Sequence, residues 1–204
     1  MKPTMRLMLQ KSLRAPVTRL ITPICRGLLK AGLSANAMSA LGAIGSTISA
    51  IYFYSRGSFI LGTVVTVVFV LSDLFDGTMA RLSQTGSQWG ALLDSTLDRL
   101  TDSAILGSIA YYLSKQNDRL LPVVLAALVT GGLVSYIKAR AESLHIQCNG
   151  GLAERTERLI VALLSIFLAG FSIPYALAIG MWILAFASTY TVFERLLIVY
   201  RGSR

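Results

Sequence analysis

Five aspartates fall within thirty residues of this chain: Asp73, Asp76, Asp94, Asp98 and Asp102, in the stretch SDLFDGTMARLSQTGSQWGALLDSTLDRLTD. On a helix, residues three or four apart share a face, with Cβ atoms about 5–6 Å from each other. Asp73 and Asp76 are three apart, Asp94 and Asp98 are four apart, and Asp102 continues the second stripe. The two pairs lie on consecutive helices joined by the short turn LSQTGSQ, so they can face one small volume. Four ionised carboxylates so placed repel one another, and protons or cations must relieve them. Two divalent ions bring the formal charge of the four to zero, and Mg²⁺ and Mn²⁺ both prefer oxygen ligands. A two-metal carboxylate site is suited to holding a diphosphate and neutralising its leaving group. The residues between the acids favour a nucleotide over a bare ion. Gly77 and Ala80 leave the helix backbone open to a ligand, Arg81 adds a cation suited to phosphate, and Gly90 gives the next helix a matching gap.

The elements that must position these acids are membrane helices. The chain has 204 residues, 54% hydrophobic and 14% charged, with mean hydropathy +0.63. A soluble domain carries roughly 25% charged residues. The composition therefore predicts an all-α integral membrane protein. Six transmembrane helices are expected at about 36–54, 59–81, 89–113, 120–139, 159–171 and 174–199, the fifth with a charged extension starting near Glu154. Residues 1–30 hold seven basic residues and no acid, with apolar positions at Leu13, Val17, Leu20, Ile21, Ile24 and Leu28. That spacing predicts an amphipathic helix on the membrane surface, with Lys11, Arg14 and Lys30 largely off the apolar face. It does not read as a signal peptide, having no uninterrupted apolar core and no small-residue cleavage pattern. No internal repeat or linker divides the chain, so one domain is expected over 1–204, its six-helix bundle over 36–199.

The net charge of +9 predicts contact with anionic lipid, not nucleic acid. With the N-terminus cytoplasmic, the outer loops hold only Arg56, Lys115 and Arg119 of the nineteen basic residues. The positive-inside rule favours that orientation and places the aspartates at the cytoplasmic end of helices 2 and 3. Small residues recur every four positions in the first span (Ala35, Ser39, Ala43, Thr47 and Gly42, Ser46, Ala50), a spacing that lets helices approach closely. Cys25 and Cys148 have no metal-ligand neighbours and no disulfide pattern, and His145, the one histidine, is read as solvated.

The acidic stretch resembles the signature of the CDP-alcohol phosphotransferases, D-x-x-D-G-x-x-A-R-x8-G-x-x-x-D-x-x-x-D. It matches at every specified position: Asp73, Asp76, Gly77, Ala80, Arg81, Gly90, Asp94 and Asp98. The resemblance implies that Asp73, Asp76, Asp94 and Asp98 hold two divalent ions, Mg²⁺ or Mn²⁺, and that Asp98 is also the general base. It implies contacts between the cytidine diphosphate and Gly77, Ala80 and Arg81. SANAMSALG resembles the family's P-N-x-x-T element, with Asn36 and Ser39 in its polar positions, Ala35 in place of proline and Ser39 in place of threonine. Ser87, in the loop before Gly90, is a further candidate nucleotide contact. The implied reaction is attack by an acceptor hydroxyl on the lipid-bearing phosphate of CDP-diacylglycerol, with CMP leaving. The resemblance also implies a homodimer in the cell membrane.

The acceptor is read from the second cytoplasmic segment, SYIKARAESLHIQCNGGLAERTERL, where Lys138 and Arg140 end helix 4 and Arg155 and Arg158 open helix 5. These charges also fit positive-inside loops, and Glu142, Glu154 and Glu157 are interleaved with them. Four cations beside a metal site suit an acceptor that is already phosphorylated. The segment most resembles the actinobacterial phosphatidylinositol phosphate synthases, which implies inositol 1-phosphate as acceptor. Ser135, Lys138, Arg140, Arg155, Arg158 and Arg195 then line its phosphate pocket. Glycerol 3-phosphate, and so a phosphatidylglycerophosphate synthase, is the runner-up. Asp102 lies outside the signature and is read as a structural acid paired with Arg99 or with a basic residue of another helix. A carboxylate-lined cation transporter is the rival class; acids gathered at one end and the lack of an inverted repeat count against it.

Overall fold

Hydrocarbon offers a peptide group no hydrogen bonds, so a chain this apolar must satisfy its backbone within helices or a closed barrel. Helices do so here, and no strand occurs among the described residues. The computed structural model describes residues 21–83, 87–148 and 150–203; the side chain of Asp73 lies outside that description. So does most of the expected surface helix, including Lys11 and Arg14. Its last part, α1 (21–30), is helical and ends on Gly32 at φ 88°. Leu33 N–H donates to Leu28 O and Gly32 N–H to Leu29 O, a Schellman stop that needs a residue at home in left-handed space.

Helix α2 (Ala35–Ser49) runs into a π-helical turn, Ala50–Tyr54, followed by α3 (Phe59–Val70), α4 (Ser72–Ser83), α5 (Gln88–Lys115), α6 (Leu121–Ser143), α7 (Arg155–Gly170) and α8 (Ala176–Gly202). Among the described residues, four helical stretches are long and apolar enough to cross a membrane: Ala35–Tyr54, Phe59–Ser83, Leu121–Ser143 and Ala176–Gly202. They coincide with the expected first, second, fourth and sixth spans. The expected third span is α5, ample at 28 residues but charged at Asp94, Asp98, Arg99 and Asp102. The fifth is α7, which begins at Arg155 and has 16 residues, fewer than the roughly 20 that a bilayer core asks for. Large apolar side chains face outward on these helices, with Val68 63%, Phe186 68% and Phe193 68% exposed. Water would penalise such faces, and lipid does not.

The chain divides into two units. The first runs to Ser46 and resumes over Val68–Asp98; the second is Thr47–Val67 with Arg99–Arg204. In the first, Ile21, Cys25, Ala35 and Met79 form a buried cluster supported by Leu28, Met38 and Phe75. Cys25 donates its thiol to Phe75 O (3.7 Å), and burial pushes that thiol above its ordinary pKa, as suits an inert side chain. The small residues of α2 mark a close approach: a Cβ on Gly42 would fall 1.7 Å from Ser72 Oγ, and one on Gly45 would fall 2.3 Å from the Phe69 ring. In the second unit, α8 packs on both α6 and α7. Its core is built on Tyr54, Ile105, Ile109, Val124, Ile166 and Met181. Gly180 gives α8 its contact with α7, since a Cβ there would meet Ser165 Cβ at 2.2 Å.

Candidate functional site

In the first unit, α4 places Asp73, Asp76, Gly77 and Ala80 on one face by helical period alone, and α5 does the same for Gly90, Asp94 and Asp98. Asp76 is buried, Asp98 half-buried and Asp94 exposed. Ser39 of α2 donates to Asp76 Oδ2 at 2.5 Å, which orients this carboxylate. The hydroxyl expected to meet the nucleotide therefore serves an acid of the signature. Among the described side chains, no three of His, Cys, Asp and Glu are gathered into a group that could hold a metal; Asp73, the fourth member of the expected set, lies outside them.

The expected nucleotide contacts sort into two kinds. Gly77 is exposed, and a Cβ there would have nothing within 4 Å. Ala80 is half-buried; Arg81 is exposed and donates to Thr78 Oγ1 (3.1 Å). These three leave one side of α4 accessible. Asn36, Ser87 and Gly90 instead come together. Ser87 caps α5, its Oγ accepting the Gly90 N–H at 3.0 Å, and a Cβ on Gly90 would meet Asn36 Oδ1 at 2.9 Å. The gap at Gly90 thus admits the Asn36 side chain. Ser34 caps α2 in the same way, accepting from Ala37 N–H, and this sets Asn36 in the first turn.

The second unit gathers the basic residues around Asp102 on α5. Arg99 lies 4.0 Å from its carboxylate, Arg155 3.7 Å and Arg158 3.5 Å. Both partners expected for Asp102 are thus present: Arg99 on its own helix and basic residues of another. Arg158 is buried, donating through Nη1 to Ala153 O (2.8 Å) and through Nη2 to Ser135 Oγ (3.4 Å) and Asp102. Ser135, Arg155 and Arg158, expected to share a pocket, do converge. Arg195 is 2% exposed and braces the backbone, donating Nε to Gly150 O (2.9 Å) and Nη1 to Val134 O (2.6 Å). The neighbouring Gly151, at φ 120°, packs directly on Thr191, where a Cβ would strike Cγ2 at 2.3 Å. Lys138 is half-buried, while Arg140 is exposed and donates to Ser143 Oγ (3.3 Å); neither is bonded to Asp102. His145 is exposed, as expected. Beneath the Asp102 cluster lies a cavity of about 50 Å³, lined by Arg99, Asp102, Gly131, Arg158, Leu184 and Ser188.

The sequence named Arg99 only as a partner for Asp102; the structure sets it beside Arg155 and Arg158 as well. Its signal was the three-residue step to Asp102, the same step that relates Arg155 to Arg158.

Comparison with known proteins bears on the whole arrangement. The family model for CDP-alcohol phosphatidyltransferase matches residues 33–193. The phosphatidylinositol phosphate synthase of Streptomyces avermitilis is 42% identical over 96% of this chain and 84% of its own. That of Corynebacterium glutamicum is 37% identical over 90% and 85%. A crystal structure of the Mycobacterium tuberculosis phosphatidylinositol phosphate synthase with CDP-DAG bound superposes at a TM-score of 0.86, with 40% identity, covering 89% of this chain and 94% of that one. The same protein in complex with manganese and citrate superposes at 0.84, with 39% identity, covering 88% of each chain.

Proposed function

The chain belongs to the CDP-alcohol phosphatidyltransferase family, and from that premise we propose that it transfers the phosphatidyl group of CDP-diacylglycerol to inositol 1-phosphate, giving phosphatidylinositol phosphate and CMP. One observation carries the choice of acceptor: Arg155, Arg158 and Ser135 converge in a chain 42% identical to a phosphatidylinositol phosphate synthase. A phosphate-bearing acceptor is what such a group of guanidinia recognises.

Asp73, Asp76, Asp94 and Asp98 are the residues to hold two divalent ions, Mg²⁺ with Mn²⁺ as a substitute. The donor set fits, being all hard carboxylate oxygen, and Ser39 already orients Asp76. The bound ions neutralise charge on the diphosphate as CMP departs. Gly77 and Ala80 let the cytidine diphosphate lie against α4, Arg81 meets its phosphate, and Asn36 and Ser87 shape the nucleotide's end of the site from α2 and the start of α5. Asp98 accepts the proton of the attacking hydroxyl. The acceptor oxygen then bonds to the phosphatidyl phosphorus and the bond to the CMP oxygen breaks. Lys138, Arg140, Arg155 and Arg158 form the basic wall for the acceptor's phosphate, with the Ser135 hydroxyl beside them and Arg195 supporting the wall from the buried side. The chain works as one domain and as a homodimer in the cell membrane, with six crossings and with its N-terminus and its acids on the cytoplasmic side.

The test is release of CMP by the purified full-length protein, given CDP-diacylglycerol, Mg²⁺ and one acceptor at a time. Inositol 1-phosphate is expected to support turnover, and a chelator to abolish it. Turnover with glycerol 3-phosphate alone would move the assignment to phosphatidylglycerophosphate synthesis. Cation flux across vesicles with no CMP from any acceptor would overturn the enzyme reading.

A further inference from the structure

Ser188 of α8 is 0% exposed and lines the cavity of about 50 Å³ in the second unit. A hydroxyl on a buried helix ordinarily returns its proton to its own backbone, three or four residues back. Ser165 does so to Ala162 O (2.9 Å), and Thr191, one turn beyond Ser188, does so to Ala187 O (2.7 Å). Ser188 Oγ meets no hydrogen-bond partner among the described residues. A buried hydroxyl without a bond is costly, and an alanine would hold the same place on α8 without that cost. A second observation comes from the charged part of the same lining. Asp102 lies 3.5 Å from Arg158 Nη2 and 4.0 Å from Arg99 Nε, and all three groups line the cavity with Ser188. A direct bond between such charges closes to about 2.7–2.9 Å, and a polar separation of about 3.5 Å or more is one that a water spans.

Size and charge select the occupant. A cavity accepts a water once it offers about 10–15 Å³, and the water asks for roughly two to four polar partners. This cavity meets both conditions, with Ser188, Asp102, Arg158 and Arg99 as partners. The rest of its wall is small or apolar, with Ala127, Gly131, Ala162 and Leu184. A cation here would face two arginines and an anion would face Asp102, so a neutral molecule that both gives and accepts hydrogen bonds fits best. We propose that the cavity is an internal water site, in which roughly one or two bound waters bond to Ser188 Oγ and bridge it to Asp102 and its arginines. The bound water ties α8 into the polar set that joins α5 to α7.

Two measurements on the full-length protein test this. A crystal or electron-microscopy structure fine enough to show ordered water is expected to hold density about 2.7–3.2 Å from Ser188 Oγ and within bonding reach of Asp102 or one of its arginines. Ser188→Ala removes a partner of the water, so its unfolding midpoint in detergent is expected to fall by about 2–4 °C. In a dry cavity the same change relieves a buried hydroxyl, and the midpoint rises instead. Three results would each overturn the proposal: no density at Ser188, a Ser188 hydroxyl bonded back to Leu184 O, or a Ser188→Ala protein that melts at or above the unmutated one. The density is read on the unmutated protein, so it decides even where the variant does not fold. Neither measurement involves turnover, so the outcome is independent of which acceptor the enzyme uses.

Discussion

Gly77→Ala separates stability from function. Glycine inside a helix costs about 1 kcal/mol relative to alanine, so Gly77 weakens α4 unless something requires it. Packing does not: an added Cβ would find no atom within 4 Å, whereas at Gly42 it would find one at 1.7 Å. Ala at position 77 should therefore fold at least as well, gaining up to about 1 kcal/mol and raising the unfolding midpoint by about 2–4 °C. If the cytidine diphosphate lies against this backbone, the new methyl intrudes on the ligand. Overpacking of one methyl costs about 1–3 kcal/mol, which predicts a loss of about 5- to 150-fold in kcat/KM for CDP-diacylglycerol. The acceptor KM, measured at the highest attainable donor concentration, should change little. CMP release gives the kinetics and a thermal melt in the same detergent gives the stability. A more stable variant with unchanged kcat/KM for CDP-diacylglycerol would refute the nucleotide slot on α4.

Gly42→Ala should show the opposite pattern, because its methyl would sit 1.7 Å from Ser72 Oγ and 3.0 Å from Phe69 O; a thermal melt should show about 1–3 kcal/mol of destabilisation. Ser39→Ala removes the donor to Asp76, so the Mg²⁺ concentration for half-maximal activity should rise and kcat should fall about tenfold. Ser39→Thr keeps the hydroxyl and should stay near the unmutated enzyme. A rise in the CDP-diacylglycerol KM alone, at saturating Mg²⁺, would instead make Ser39 a nucleotide contact.

Local periodicity explains what could be read early. Asp73, Asp76, Gly77 and Ala80 share a face because 3.6 residues make a turn, and no distant contact is needed to know it. The four most apolar spans follow from composition for the same reason, since hydrocarbon leaves a polar backbone little choice but helix. The π-helical turn at Ala50–Tyr54 and the two units were not legible, because they depend on how side chains from separate helices meet.

Contacts with distant partners were decided only by packing. Ser39 and Asp76 are 37 residues apart, and only packing brings the hydroxyl read as a nucleotide contact within hydrogen-bond distance of the carboxylate. Gly90 read as a gap in its helix, and only packing shows that the Asn36 side chain lies beside that gap. Asp102 and Arg158 are 56 residues apart, and α7 had to pack beside α5 before one acid could gather three arginines. The signature and the membrane character are thus properties of the sequence by itself, because helix period and hydropathy act over neighbouring residues. The grouping of the basic residues belongs to the tertiary structure, because a charge near many sequence neighbours of either sign has no partner until helices bring one within about 4 Å.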